Sequence, residues 1–584
     1  MQKITPVATF VVLVALLIAQ CAEPKPLPSI PDPVAQTVGP SSEEIQNLQD
    51  RLEEHPEFRK IFQDNRYRIL SFKPVFSDAK EWEGQDTLII SRYTAIAYDY
   101  TRDQAYEIRL STDTRQVEAT AIDDQPTPNA EEEQLAYDAL IRNLNISDQV
   151  TAGTLTVVNA MPPAMSNSEG NRMLSFMVIG PETSDQLGAY AVNISDERHP
   201  IEVMNHNFAG LEFSAPTCGP PDLDSGSDPT GYKEITIPNP FNPLTPIWKF
   251  TVVQPKSSSG HKGSGVELRD VSFMGKSVLK RAHAPKLNVI YDAICGGNAQ
   301  SYCGGSSVNV YDDPIFVPAK FEAQGTNFPP VANGFRNCTA MPQTIVDSGD
   351  DGGNFKGVAI YKNPTDNSVV VVSELQADWY RYAHEWVFYP SGRIEPRFKF
   401  SAVQNNCTCE RHVHHVYWRF DFDINGSINS VIESYVPTKG TGSNWVSVPP
   451  FTQEVTRYRS YSQMMWTISG PNNLRCDLIA GEHDGNGNGD DWAKGDVFIA
   501  KYDPDEINEW GLNTSNQLAC FNDAHLIDGE NINGEDIVIW YRAGSLHDES
   551  AIDPSGQHQI VGPSIKCRWN PGPYEDEYDD QIYN

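Results

Sequence analysis

From residue 244 to its end the chain is a succession of short β-branched and aromatic runs, among them VVVVSEL, EWVFYPSGRIEPRFKF, HVYWRFDFDING and EDIVIWYRAG. Gly, Asn and Asp turns separate them. Runs of this kind, repeated over so long a stretch, bury their apolar residues by stacking sheet on sheet. The fold predicted for 244–584 is therefore a large antiparallel β-sandwich, which makes the protein mainly β.

Two smaller units precede it. Ile45, Leu48, Leu52, Phe58 and Ile61 recur at helical spacing between Ser41 and Phe62, with Ser41 or Ser42 as N-cap ahead of Glu43 and Glu44. The β-rich segments TLIISRYTAIAYDY and QAYEIRLSTD follow. The same order returns in a helix from Asn129 to Asn143 and the strands RMLSFMVIG and GAYAVNIS. Two small α+β domains are predicted, over 41–127 and 128–210, with a Pro/Gly/Ser/Asp-rich linker over 211–243. Residues 22–40 are proline-rich and aperiodic, as a flexible leader is.

Composition narrows the function. Lys and Arg total 44 against 78 Asp and Glu, a formal net charge of -34. Such a surface repels nucleic acid and anionic lipid and attracts metals, cationic amines and mineral. Lys3, the apolar stretch Phe10–Ile18 and the small residues before Ala22 have the layout of a signal peptide over 1–21. A lipidated Cys21 is the alternative, disfavoured by Gln20 before it. No later stretch has the apolar length of a membrane span. An odd number of cysteines lies beyond Cys21, and sequons begin at Asn145, Asn193, Asn337, Asn406, Asn425 and Asn513. Secretion, disulfides and glycosylation are expected.

The chemistry concentrates in RHVHHVYWRFDFD. On a strand, residues two apart share a face, so His412 and His414 can hold one ion while His415 points away. His547, directly after a β run, is the best third ligand, and three imidazoles suit copper or zinc. A zinc hydrolase is disfavoured, since no Glu or Asp adjoins the His pair as zinc-peptidase motifs require.

In order along the chain, GVELRDVSFMGKSVLKRA (Gly265 to Ala282), HEWVFYPSGRIEPRFKF and HVHHVYWRFDFD resemble three segments of the copper amine oxidase family. They are the segment that opens its catalytic domain, the strand pair after its cofactor tyrosine and its copper-ligand strand. The resemblance spans Trp248 to about Pro573 and, more weakly, both N-terminal units.

It implies copper on His412, His414 and His547, and a topaquinone made from one tyrosine in a segment of the form Asn-Tyr-Asp/Glu-Tyr. Trp379-Tyr380-Arg381-Tyr382 is the counterpart here, with Tyr380 reactive; Trp379 replaces the asparagine and Arg381 the acid. A primary amine and O2 would be the substrates, and a homodimer the assembly. Asp313 of Tyr311-Asp312-Asp313 is the nearest match to the proton-abstracting base, with Asp292 as the second candidate.

The resemblance further implies a calcium or manganese cage of Asp421, Asp423 and Asp536 with the carbonyls of Phe422 and Ile537. Asp528 and Glu530 would belong to an outer calcium site. Cys338 sits where the family places a disulfide cysteine, with Cys303 or Cys295 as partner. A rival expectation on the same fold is an acidic metal-binding protein of the extracellular matrix whose altered tyrosine segment does not mature.

Overall fold

The computed structural model describes residues 29–76, 90–122, 125–152, 154–179, 186–195, 201–203, 228–260, 262–291, 309–329, 334–377, 379–403, 412–437, 445–461, 463–484, 495–503, 527–547 and 560–569. It opens with strand β1 (Val34–Val38), helices α1 (Ser42–Glu54) and α2 (Pro56–Phe62), and a meander of β2 (Tyr67–Phe76), β3 (Ile90–Asp99), β4 (Gln104–Ser111) and β5 (Val117–Ile122). Helix α3 (Ala130–Leu144) and a second meander, β6 (Thr156–Ser166), β7 (Arg172–Ile179), β8 (Gln186–Asn193) and β9 (Ile201–Val203), follow. Leu52, Phe58 and Phe62 pack on the first sheet, Ala136 and Leu140 on the second.

Two expectations change here. The helical stretch over Ser41–Phe62 is two helices, because Pro56 has no N–H to give and holds His55 extended at φ -65°, ψ 134°. Within the expected leader, β1 pairs antiparallel with β10 (Tyr232–Ile237), from Val34 opposite Thr236 to Val38 opposite Tyr232. Parts of the expected leader and linker are therefore joined as an edge of the main sheet.

The remaining strands that matter are β11 (Trp248–Val253), β12 (Glu267–Phe273), β13 (Lys276–Tyr291), β14 (Asn309–Asp312), β15 (Val369–Ala377), β16 (Tyr380–Phe388), β17 (Arg393–Ala402), β18 (His412–Phe422), β19 (Val497–Lys501) and β20 (Ile537–His547). One sheet runs β1-β10-β11-β12-β13-β18-β20-β19, with β14 on β13; the other contains β15-β16-β17. Among the described residues the pairings are antiparallel except that of Phe335–Cys338 with Val358–Lys362. Phe250 stacks on Phe388 at 4.0 Å, and Trp386 and Phe398 meet Phe420 and Trp418 edge-on, so the sheets close face to face. β13 carries Pro285 at a break in its register with β18, between His283 and Lys286, where no ladder N–H is needed.

Cys476 and Cys567 are directly opposed on neighbouring strands and form a disulfide. Cys338 is a buried free thiol, which corrects the bridge expected of it. Burial pushes that thiol up to about 11. Among the described residues no helix is long and apolar enough to cross a membrane.

Alternation divides β16 into two faces. Tyr380, Tyr382, His384, Trp386 and Phe388 enter the interior between the sheets, while Arg381 and Glu385 face the other way. Arg381 is fully buried and forks onto Asp351, Nε to Oδ1 at 2.6 Å and Nη2 to Oδ2 at 3.1 Å, while its Nη1 donates to the Tyr380 carbonyl at 3.0 Å. Beside this pair Glu374 accepts the Ile345 N–H at 2.6 Å, and burial drives its carboxyl well above the ordinary range. On the interior face His384 Nδ1 accepts the Val266 N–H at 3.1 Å. Gly265 beside it has φ +61°, and a Cβ there would lie 2.3 Å from that nitrogen.

Asp351→Asn, which leaves the Arg381 charge buried without its counter-ion, is expected to cost about 3–5 kcal/mol in urea unfolding. His384 gives a pH signature. Burial lowers it to about 3 from an ordinary 6.5, so the unfolded chain takes up a proton that the folded one refuses. Its contribution is complete above pH 6.5 and shrinks as pH falls toward 3, by up to about 1.4 kcal/mol per unit. The stability difference between wild type and His384→Phe, followed from pH 7 to 4, should fall with that slope.

Candidate functional site

β18 is paired along its length with β13 on one side and β20 on the other. Its even residues His412, His414, Val416, Trp418, Phe420 and Phe422 line the interior. His412 and His414 are 0% and 1% exposed, with ring centroids 4.7 Å apart. Phe400 stacks on His414 at 4.9 Å. His415 lies on the opposite face, its Nδ1 3.2 Å from Asn288 Oδ1. In the β18–β20 register residue 547 stands directly opposite His412, so the backbone brings the three histidine positions to one end of the strand pair. The two buried imidazoles and the third histidine position opposite them are a donor set that fits copper or zinc.

β16 crosses this end from the other sheet. The Tyr380 ring stands edge-on to His414 at 4.7 Å and tilted to His412 at 5.4 Å. Tyr382 is parallel to Tyr380 at 5.8 Å. Its hydroxyl donates to Asp313 Oδ2 and lies 3.2 Å from His414 Nδ1. Asp313 follows β14, is 3% exposed, and is tethered by its N–H to the Leu287 carbonyl at 2.9 Å. Of the two base candidates, Asp313 is thus at the site; Asp292 lies outside the described residues. Tyr382 went unnoticed in the sequence, although its place two residues beyond Tyr380 puts both on one face.

The residues flanking the tyrosine are accommodated. Trp379 packs its ring 6.0 Å from Tyr380, while Arg381 is held by Asp351 behind the strand and never enters the site.

At the far end of β18 carboxylate oxygens of Asp421, Asp423 and Asp536 lie within 4.8 Å of one another. Three carboxylates so close repel each other, and a divalent cation relieves that repulsion, so this donor set fits calcium or manganese. Arg419 Nη1, 3.8 Å from Asp421 Oδ2, supplies part of the balance. The Phe422 carbonyl accepts from Asn429 Nδ2 at 3.1 Å; Ile537 is opposite Phe422 in register.

Asp528 and Glu530 also gather, with Glu454 as a third carboxylate. There Glu454 accepts backbone N–H groups of Lys501, Asp528, Gly529 and Glu530 at 2.9–3.2 Å, and Lys501 Nζ sits 3.0 Å from Glu530. A cation at this place has to displace Lys501.

Calcium added to metal-free protein is expected to raise the unfolding temperature, a saturating ion contributing about 2.7 kcal/mol at a hundred times its Kd. Asp421→Ala should abolish most of the calcium-dependent shift in a thermal melt, and Asp528→Ala little of it.

No family model and no curated protein matches the sequence. Solved structures do. A copper-containing benzylamine oxidase from Hansenula polymorpha aligns with TM-score 0.58 at 12% identity, covering 92% of this chain and 98% of its own. The lysyl oxidase of Pichia pastoris aligns with TM-score 0.54 at 13% identity, covering 92% and 90%. An Aspergillus nidulans amine oxidase gives TM-score 0.54 at 14% identity, covering 93% and 91%. Over nearly its whole length, the chain has the fold of the copper amine oxidases.

Proposed function

We propose that the protein is a secreted, copper-dependent primary-amine oxidase that works through a topaquinone formed from Tyr380. It would convert R-CH2-NH2, O2 and H2O to an aldehyde, NH3 and H2O2. The observation that carries this reading is the Tyr380 ring, buried and edge-on 4.7 Å from His414.

His412, His414 and His547 would hold copper, which with O2 would supply the oxidising chemistry for converting the tyrosine and turning over the amine. Asp313 is the base for the α-proton of the amine: one oxygen is engaged by Tyr382, which fixes the carboxylate. The Phe398, Phe400 and Trp379 rings around Tyr380 and Tyr382 shield the site from bulk solvent. Asp421, Asp423 and Asp536, with the Phe422 and Ile537 carbonyls, hold a calcium or manganese ion as a structural clamp.

The neighbours in structure are oxidases of benzylamine and of lysyl groups, which supports an amine substrate. A net charge of -34 supports a cationic one, and would also suit an extracellular matrix or mineral surface. The apolar stretch Phe10–Ile18 and the Cys476–Cys567 bridge support a secretory route. Assembly as a homodimer belongs to the same reading.

Phenylhydrazine added to protein expressed with copper under air should give a coloured adduct, mapping by mass to the Tyr380 peptide and absent in Tyr380→Phe and His412→Ala. An unmodified Tyr380 in copper-loaded protein would overturn the oxidase and leave a metal-binding matrix protein on the same fold.

A further inference from the structure

Tyr382 stands between the residue assigned as base and a residue assigned to the metal, and its single proton decides what each neighbour does. The hydroxyl donates to Asp313 Oδ2. A phenol has one hydrogen, so with Asp313 ionised the 3.2 Å contact to His414 can be made only with His414 Nδ1–H as donor and the Tyr382 oxygen as acceptor. His414 is then the tautomer whose Nε2 carries a lone pair. All three side chains are at least 97% buried, so water does not compete for these bonds.

We infer that Tyr382 is a positioning residue for the metal: it fixes the tautomer and ring orientation of His414, and through the same hydroxyl ties that ligand to Asp313. This rests on the reading of His412, His414 and His547 as copper ligands. It places no demand on Tyr380, which shares the face and makes ring contacts with the two histidines. The chain Asp313–Tyr382–His414 is a carboxylate–histidine support with a phenol inserted, and such outer partners are worth about 10–100-fold in metal affinity. The backbone holds its ends independently: Asp313 through the Leu287 carbonyl, Tyr382 in the β15–β16–β17 ladder, and His414 opposite Val289 and Ser545. A preformed tautomer is therefore a property of the metal-free protein.

The test is copper binding. Metal-free full-length wild type, Tyr382→Phe, Asp313→Asn and Tyr380→Phe are titrated with Cu(II) against a competing chelator, and the electron paramagnetic resonance spectrum of each copper-loaded protein is recorded. Tyr382→Phe is expected to bind copper about 10–100-fold more weakly, with altered copper hyperfine splitting. Asp313→Asn, whose amide oxygen still accepts the phenol proton, should lose less, and Tyr380→Phe should match wild type in affinity. Thermal melts of the metal-free variants separate a lost fold from a lost ligand; if Tyr382→Phe does not fold, the order of Asp313→Asn and a second variant, Asp313→Leu, decides, Leu being the more damaging. Equal affinity and an unchanged spectrum in Tyr382→Phe overturn the inference. Copper bound normally by wild type with Tyr380 unmodified overturns the oxidase and leaves the role of Tyr382 standing, whereas wild type that binds no copper overturns both.

Discussion

The double pairing of β18 is the constraint on which both candidate sites depend. A strand hydrogen-bonded on both sides has a fixed register, and its pleat sends successive residues to opposite faces. The histidines therefore enter the interior with Trp418 and Phe420, whereas His415, Arg419 and Asp421 are delivered to the other face. Asp421 lies nine positions beyond His412 on extended chain, about 30 Å at the usual rise. One continuous ladder thus holds a soft nitrogen site at one end and a hard oxygen site at the other. A slip of one residue would disperse both clusters, which ties the candidate sites to the folding of three strands that lie far apart in sequence.

The same alternation explains how the tyrosine segment tolerates an unusual sequence. Trp379-Tyr380-Arg381-Tyr382 looks disruptive as a string, because an arginine takes the place of an acid beside the candidate cofactor tyrosine. On β16, however, Arg381 belongs to the back face, where Asp351 neutralises it and Glu374 lies close by with its carboxyl biased toward the neutral form. The front face keeps Tyr380 against the histidines. Charge inside a low-dielectric layer is tolerable when its partner is fixed at hydrogen-bond distance, and the fork of Arg381 on Asp351 meets that condition.

What could be read in the sequence follows from how local the signal is. The sandwich announced itself through runs of Val, Ile, Tyr and Trp between turns, and the interior pair His412 and His414 through simple alternation. The cluster of Asp421, Asp423 and Asp536 was expected only through the family resemblance; the structure gathers the three carboxylates where β18 ends and β20 begins. Contacts across long gaps were not. β1 binds β10 nearly two hundred residues later, and neither segment has a pattern strong enough to reveal the other. The Asp313 contact with Tyr382 spans 69 residues, and Glu454 reaches a loop 74 residues away. Pro56 was visible and should have divided the first helix, since the backbone before a proline resists the helical region.

Identity of 12–14% to structures that share the fold indicates how little of the chain has to be specified residue by residue. Sandwich positions demand apolar volume, which many sequences supply. The site demands more: imidazoles two apart on one strand, a third position held opposite by register, a phenyl ring delivered from the facing sheet, and a carboxylate reached through Tyr382. Each is positioned by backbone pairing or a backbone hydrogen bond. The surroundings can then diverge as long as buried charge is matched and buried volume filled. By that argument the unusual residues Trp379 and Arg381 are accommodated without disturbing the strand: Trp379 fills space beside Tyr380, and Arg381 is neutralised behind it.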